Sequence, residues 1–189
     1  MTGPGGTAAG DRQPTLPPPR TAGRYRVTIV CTGNICRSPT ADVVLGSMLA
    51  EAGLEHAVAV DSYGLGGWHV GDGMDRRSAS TLAAAGYHPH DHRARQLPRS
   101  WVDGYDLVLA MDDGHLRDLR AQARAAGDPA EHVLLFGDFD PVHPGGNVED
   151  PYYGGPDGFE EVLAVVERTS EAIVAALRRS VSAEEPDPR

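Results

Sequence analysis

The chain has 189 residues, 40% apolar and 23% charged, which is enough for one globular domain with a buried core. Its formal net charge of −10 argues against a nucleic-acid partner, because a phosphate backbone binds a basic surface. The sequence contains no lysine, which excludes a Walker-type nucleotidase and a Schiff-base enzyme, and no apolar run reaches the roughly 20 residues of a membrane span.

The two ends of the chain have the composition of tails. Residues 1–23 are rich in Gly and Pro, so we expect a disordered N-terminal tail there. We expect a single catalytic domain over residues 24–180 and a C-terminal tail over residues 181–189. The N-terminus lacks the charged and apolar regions of a secretory signal, so we expect a cytoplasmic protein, and we take a monomer as the default state.

Between these tails, short apolar runs alternate with helical patterns. In chain order the pattern predicts a strand over residues 26–31, a helix over 38–53, a strand over 57–62, a helix over 74–85, a strand over 106–111, a helix over 114–126, a short strand over 133–136 and a long amphipathic helix over 157–179. Ser38 is expected to cap the first helix, with Pro39 as its first helical residue. This alternation predicts a parallel sheet with helices on both faces.

The segment after the first strand, residues 30–39, reads Val-Cys-Thr-Gly-Asn-Ile-Cys-Arg-Ser-Pro. Cys31 lies at the carboxyl end of the strand, where parallel sheets bind ligands, and Arg37 follows six positions later. Backbone N–H groups, a helix N-terminus and a guanidinium favour a thiolate and bind the outer oxygens of a phosphate monoester. The segment therefore predicts a nucleophilic cysteine in a phosphate-binding loop. Read without its neighbours, Cys31 would be a buried structural thiol.

The residues between Cys31 and Arg37 support that interpretation. Gly33 allows a close approach of another group or an unusual backbone angle, and Asn34 is able to adopt a left-handed conformation and to lock the loop by hydrogen bonds. Ser38 is placed to donate a hydrogen bond to the sulfur of Cys31.

Phosphoryl transfer to cysteine also requires an acid that protonates the leaving oxygen. The best candidate is Asp150, which Pro151 holds in an extended loop and which two tyrosines follow. Asp112, at the end of the third predicted strand, either positions the site or only caps the next helix.

These motifs identify a resemblance. Over about residues 25–177 the chain resembles the low molecular weight protein tyrosine phosphatases, on the loop described above and on Asp-Pro-Tyr-Tyr-Gly-Gly at residues 150–155. The resemblance implies a single α/β domain in which helices cover both faces of a four-stranded parallel sheet, a flavodoxin-like three-layer sandwich. It implies hydrolysis of phosphotyrosine in proteins, with inorganic phosphate as product and with no metal and no cofactor.

The resemblance also implies roles for individual residues. Cys31 would attack phosphorus, Arg37 would bind the phosphate, and Asp150 would serve first as acid and then as base. The phosphate-binding and bracing positions would be Thr32, Gly33, Asn34, Ile35, Cys36, Arg37 and Ser38, with Asn34, Ser38, Ser62 and His92 as braces. Trp68, Tyr152 and Tyr153 would line the substrate cleft. Cys36 would form a reversible, protective disulfide with the nucleophile.

Other activities use similar loops. Thioredoxin-coupled arsenate reductases need further cysteines, whereas this chain has only two, Cys31 and Cys36; a reductase that uses a small external thiol stays open. Protein arginine phosphatases tend to carry Thr where this chain has Ile35. A catalytically inactive phosphate-binding or redox-sensing module is a further alternative, although both Cys31 and Asp150 are present.

Overall fold

In the part of the chain that the structure describes, four parallel strands form one central sheet. The structure is a computed structural model that describes residues 14–20, 23–89 and 91–184, with side chains described as far as residue 180. The strands are β1 (Tyr25–Cys31), β2 (Val58–Gly64), β3 (Leu107–Ala110) and β4 (Val133–Leu135), and their order across the sheet is β2-β1-β3-β4. In the register, Cys31 lies beside Gly64 and Val30 beside Ala110, so the carboxyl ends of the central strands meet at one edge.

Helices follow the strands and cover both faces of the sheet. They are α1 (Arg37–Glu51), α2 (Arg76–Ala84), α3 (Asp113–Ala125) and α4 (Asp157–Glu184). The described part of the chain also contains three short 3-10 helices, Trp101–Asp103, Phe136–Phe139 and Pro151–Tyr153, which the sequence patterns did not predict. Among the described residues, none of the helices combines the length and the apolarity that crossing a bilayer requires.

The alternation of side chains along the strands divides the core into two clusters. Val27 and Ile29 of β1 face the cluster that includes α1 and α4, whereas Val30 faces the cluster that includes α3 and Trp101. Burial on both faces explains why these strands are continuously apolar. The predicted three-layer α/β architecture is confirmed.

The predicted helices and strands agree with the observed ones to within two residues, except that α4 continues to Glu184. Two predictions at one boundary are wrong. Ser38 does not cap α1 and Pro39 is not its first residue, because the helix starts at Arg37, and Cys36 stands at the N-cap without a side-chain cap hydrogen bond. The Ser38 hydroxyl is instead in contact with Cys31, Asn34 and Tyr63.

The described part of the N-terminal segment, residues 14–20, lies against the domain. Leu16 packs on the larger core cluster, the Tyr25 hydroxyl donates to the Pro17 carbonyl at 2.9 Å, and Arg20 bonds to residues near the amino ends of the strands. This part of the expected disordered tail therefore has partners in the fold. Residues 1–13, 21–22 and 185–189 lie outside the described residues.

Candidate active site

The loop over residues 32–38 starts where β1 ends, and it surrounds the sulfur of Cys31. Cys31 Sγ lies 3.0 Å from Ser38 Oγ and accepts a hydrogen bond of 3.3 Å from the backbone N–H of Asn34. Ser38 Oγ also lies 3.2 Å from the Tyr63 carbonyl. Since the hydroxyl has one proton, it is free to donate to the carbonyl when the sulfur is a thiol and to the sulfur when it is a thiolate.

Asn34 holds the centre of this loop. It has a φ of 57°, the left-handed conformation that the sequence predicted for it, and its side chain is fully buried. The Asn34 amide donates to Ser38 Oγ at 2.9 Å and to Ser62 Oγ at 3.0 Å, and it accepts a bond of 2.9 Å from the backbone N–H of Arg95. Both N–H groups and the oxygen of the side chain are used within the loop and its neighbours.

Two further side chains brace the loop from outside. Ser62, on β2, accepts from Asn34 and donates to Asp42 Oδ2 at 3.0 Å, so it links the loop to α1. His92 Nε2 lies 2.7 Å from the Asn34 carbonyl, which is able only to accept, so this nitrogen carries a proton. Burial lowers the pKa of His92, and the bond to the carbonyl opposes that shift only in part.

The guanidinium of Arg37 is buried and is held from two sides. Its Nη1 donates to Asp112 Oδ2 at 2.9 Å and to the Val148 carbonyl at 3.2 Å. Its Nη2 donates to Asp150 Oδ2 at 2.7 Å and to Thr32 Oγ1 at 3.2 Å. With 4% of its surface exposed, Arg37 has a fixed orientation beneath the cleft.

Asp112 fulfils both roles that the sequence left open. Its Oδ1 caps α3 by accepting from the backbone N–H of His115 at 2.9 Å, while its Oδ2 pairs with Arg37. Burial alone would raise the pKa of Asp112, but the contacts from His115 and Arg37 outweigh burial and hold the pKa well below its usual range. Asp112 is therefore a carboxylate at all physiological pH values.

Asp150 reaches the same guanidinium from a loop more than 110 residues downstream. Its backbone is extended, and its Oδ1 accepts from the Tyr152 N–H at 3.1 Å at the start of the 3-10 helix. Arg77, at the start of α2, donates to the Tyr152 carbonyl at 3.2 Å and so ties this loop to α2. The side chain of Asp150 is half-exposed at the mouth of the cleft.

These groups line one cleft of about 300 Å³. Its lining comprises Cys31, Thr32, Gly33, Ile35, Cys36, Arg37, Trp68, His69, Asp150, Tyr152 and Tyr153. Trp68 and Tyr153 are strongly exposed, at 73% and 94%, and Tyr152 packs edge-on against Tyr153 with ring centroids 5.0 Å apart. The cleft thus combines a polar floor with aromatic walls that suit a planar ring.

Cys36 lies on the same cleft, but its environment differs from that of Cys31. Burial, reinforced by the nearby Asp75 carboxylate, raises the pKa of Cys36 to about 12. Both cysteines are free thiols. Cys36 is therefore a neutral thiol when Cys31 is reduced.

The structure brings together all the residues that the sequence singled out, in or around one cleft. Several contributors were not predicted: Asp42 behind Ser62, Arg95 on Asn34, His69 beside Gly33, and His115 beside Asp112. A Cβ on Gly33 would lie only 2.9 Å from His69 Cδ2, so the expected close approach at Gly33 is made by this ring. A histidine three positions after Asp112 is a signal in the sequence that would have pointed to His115.

Comparisons of sequence agree with this geometry. The family model described as low molecular weight phosphotyrosine protein phosphatase matches residues 26–183. A low molecular weight protein-tyrosine-phosphatase of Streptomyces coelicolor is 51% identical over 159 residues, which cover 83% of this chain and 96% of that protein. The low molecular weight protein-tyrosine phosphatase A of Mycobacterium tuberculosis is 47% identical over 144 residues, 75% of this chain and 84% of its own.

Solved structures agree as well. YfkJ from Bacillus subtilis superposes with a TM-score of 0.77 at 31% identity and covers 84% of this chain and 98% of its own. A protein tyrosine phosphatase from Entamoeba histolytica, with Hepes in its active site, has a TM-score of 0.77 at 28% identity and covers 83% and 99%. The chain therefore belongs to the low molecular weight protein-tyrosine-phosphatase family of hydrolases.

Proposed function

We propose that this chain hydrolyses phosphotyrosine in proteins and that Cys31, Arg37 and Asp150 carry out the reaction. The observation that carries the proposal is their convergence: β1, the start of α1 and the loop at Asp150 place a sulfur, a guanidinium and a carboxylate on one cleft. The aromatic walls at Trp68, Tyr152 and Tyr153 fit the phenol ring of the substrate.

The first step transfers the phosphoryl group to sulfur. The Cys31 thiolate attacks phosphorus, the P–S bond forms, and the bond between phosphorus and the tyrosine oxygen breaks. Asp150, in its acid form, gives its proton to the departing phenol oxygen. Arg37 Nη2, which bonds to Asp150 in the free structure, donates to the phosphate oxygens once the substrate replaces the carboxylate.

The second step releases inorganic phosphate. A water loses its proton to the Asp150 carboxylate and attacks phosphorus, and the P–S bond breaks to return the thiolate. Ser38 Oγ, 3.0 Å from the sulfur, stabilises that leaving thiolate by donating a hydrogen bond to it. Asn34, Ser62 and His92 keep the 32–38 loop in the shape that this step requires.

Further parts of the proposal concern the setting of the enzyme. Cys36 forms a disulfide with Cys31 on oxidation and protects it from irreversible damage, since both thiols line one cleft. We also propose that the enzyme works in the cytoplasm, where thiols stay reduced, because the reaction needs a reduced Cys31. We further propose that residues 24–180 act as the catalytic unit and that the protein works as a monomer.

The test compares the purified protein with two variants on p-nitrophenyl phosphate in EDTA. Wild type should turn over; Cys31→Ser should be inert because a hydroxyl is not ionised at neutral pH. Asp150→Ala should lose about 10²-fold or more in kcat on phosphotyrosine peptides, whose leaving group needs the proton. Turnover by Cys31→Ser at the wild-type rate would refute the mechanism.

Substrate choice needs a separate measurement. We would measure kcat/KM on matched peptides that carry phosphotyrosine, phosphoserine or phosphoarginine. Reduction of arsenate with glutathione is measured in parallel. Together these assays distinguish the proposed activity from that of a protein arginine phosphatase and from that of an arsenate reductase. We expect kcat/KM on the phosphotyrosine peptide to exceed the others by at least about 10²-fold, because only an aromatic ring fills the space between Trp68 and Tyr153.

A further inference from the structure

Four side chains beneath the cleft form a closed ring of contacts, which we call the His115 ring: Thr32, Arg37, Asp112 and His115. His115 Nε2 lies 2.8 Å from Thr32 Oγ1, and Thr32 Oγ1 accepts from Arg37 Nη2 at 3.2 Å. Arg37 Nη1 donates to Asp112 Oδ2 at 2.9 Å. Asp112 Oδ2 lies 3.0 Å from His115 Nδ1 and so closes the ring. The N–H of this nitrogen does not point at the oxygen, so the contact is not a hydrogen bond.

One proton arrangement satisfies the three hydrogen bonds of this ring, and the fourth contact, between His115 Nδ1 and Asp112 Oδ2, is electrostatic. Arg37 is able only to donate and the Asp112 carboxylate only to accept, so the electrostatic field of Asp112 favours a proton on His115 Nδ1. In the neutral ring Nε2 then accepts, and the Thr32 hydroxyl proton points to it. The Thr32 oxygen is thereby left with its lone pairs toward Arg37 Nη2.

The imidazole is not required for the local fold of α3. The cap of this helix uses the backbone N–H of residue 115, which any residue except proline supplies. The buried side chain of His115 is therefore free to serve another purpose, and its two nitrogens contact the two residues that hold opposite ends of the guanidinium.

We propose that His115 is a positioning residue of the phosphatase reaction: through Thr32 and Asp112 it fixes the plane of the Arg37 guanidinium against the substrate phosphate. This inference rests on the proposed phosphate-binding function of Arg37. His115 touches no reacting atom; it acts by holding the partners of Nη1 and Nη2 in place. Its loss lets the guanidinium turn, which weakens binding of the phosphate in the ground state and in the transition state.

The chain offers a matched set of variants. In His115→Gln the longer side chain reaches the position of Nε2 and keeps a polar atom on Thr32, whereas His115→Asn reaches only the position of Nδ1. We expect His115→Ala and His115→Asn to lower kcat/KM by about tenfold and to raise the inhibition constant of inorganic phosphate by about fivefold. His115→Gln should stay within about threefold of wild type in both values.

The inhibition constant separates positioning from a merely structural role. The inhibition constant does not depend on the fraction of enzyme that is folded. A variant that is only less stable therefore loses rate but keeps the wild-type inhibition constant. His56→Ala, a substitution of a strongly exposed histidine, is the control and should change neither value. Unchanged phosphate inhibition in His115→Ala, or His115→Asn as active as His115→Gln, overturns the proposal.

A double-mutant cycle tests the link through Thr32. If His115 acts through that hydroxyl, Thr32→Val and His115→Ala together should cost no more in kcat/KM than the larger single effect. Fully additive losses would contradict the link. Cys31→Ser in the same assay tests the proposed reaction itself. If Cys31→Ser stays active, the reaction is not the proposed one. If Cys31→Ser is inert and the His115 variants behave like wild type, only the role of His115 is refuted.

Discussion

At the scale of single residues, Asn34 determines the shape of the 32–38 loop. Its backbone is left-handed, its N–H reaches the sulfur of Cys31, and its carbonyl accepts from His92. Its side chain adds three hydrogen bonds to the surroundings. Few residue types satisfy all of these demands, because most side chains are strained at positive φ and lack paired donor and acceptor groups.

The two contributions of Asn34 separate in a pair of variants. Asn34→Gly adopts the left-handed backbone without strain but loses the side-chain hydrogen bonds. Asn34→Ala loses the same hydrogen bonds and is also strained in the left-handed conformation. We expect each variant to lose at least about 2 kcal/mol of unfolding free energy, because Ser62 Oγ and the Arg95 N–H lose buried partners. Alanine should be the less stable by about 1 kcal/mol, the cost of its backbone conformation.

Urea unfolding of both proteins measures this difference. Activity should fall in both, since the N–H that bonds to Cys31 Sγ depends on the loop backbone. Equal stability of the two variants would mean that the left-handed backbone of residue 34 contributes no strain and that the hydrogen bonds alone explain the preference for asparagine.

The roles of some site residues were predictable from the sequence, and those of others were not. Cys31, Arg37 and Asp150 were predicted because their chemistry requires those residue types, and the structure places all three on one cleft. His115 was not predicted. Its spacing of three residues from Asp112 signals the contact with that carboxylate, but no periodicity or motif spacing specifies its contact with Thr32, which depends on how α3 lies beside the loop.

At the scale of elements, the junction between β1 and α1 shows why the local rule for helix caps failed. Serine before an apolar run is a good N-cap when its hydroxyl is free to accept from the helix backbone. Here the Ser38 hydroxyl forms hydrogen bonds with Asn34, Cys31 and Tyr63, so it does not cap the helix, and Ser38 is the second residue of α1. The capping signal was overridden by the tertiary contacts of the site. The alternation of strands and helices, by contrast, depends on burial patterns that the sequence displays directly.

The carboxyl end of β2 supports the same loop from below. A Cβ on Gly64 would lie 2.9 Å from the Gly33 carbonyl carbon, 2.9 Å from the Thr32 carbonyl oxygen and 3.0 Å from the Asn34 nitrogen. These are backbone atoms of the loop, and they are fixed by the contacts of Asn34. No side-chain rotation is able to make room for a methyl group there.

Gly64→Ala should therefore displace the 32–38 loop. We expect unfolding free energy to fall by about 1–3 kcal/mol and kcat/KM to fall by at least about tenfold, since small shifts of positioning groups are costly to catalysis. The matched control is Gly46→Ala in the middle of α1, where the new Cβ would lie 3.6 Å from Val60, an ordinary contact.

Gly46→Ala should keep wild-type kinetics and gain up to about 1 kcal/mol of stability from helix propensity. Thermal unfolding and steady-state kinetics of the two variants give both readouts. If Gly64→Ala retained full activity, β2 would not define the position of the loop.

At the scale of the whole molecule, different parts of the chain lie at the two ends of the sheet. The carboxyl ends of the strands carry the cleft, while the described N-terminal segment, residues 14–20, packs at the amino ends. There the backbone N–H of Arg20 donates to Asp106 at 2.5 Å, just before β3, and its guanidinium donates to Asp128 at 2.5 Å and contacts His132, just before β4. Composition alone predicted a solvated tail, because these partners are distant in sequence.

Removal of the Arg20 side chain should lower stability without touching the chemistry. Arg20→Ala leaves Asp128 and the buried His132 without this partner, and we expect a loss of about 1–2 kcal/mol of unfolding free energy, or about 2–8 °C in Tm. Since the cleft lies at the opposite edge of the sheet, kcat and KM should stay at wild-type values. Arg99→Ala, at an exposed position, is the matched control for the loss of one positive charge and should leave Tm unchanged. An Arg20→Ala protein as stable as this control would show that the Arg20 side chain adds nothing to the stability of the fold. A change in kcat would show that the two ends of the sheet are coupled.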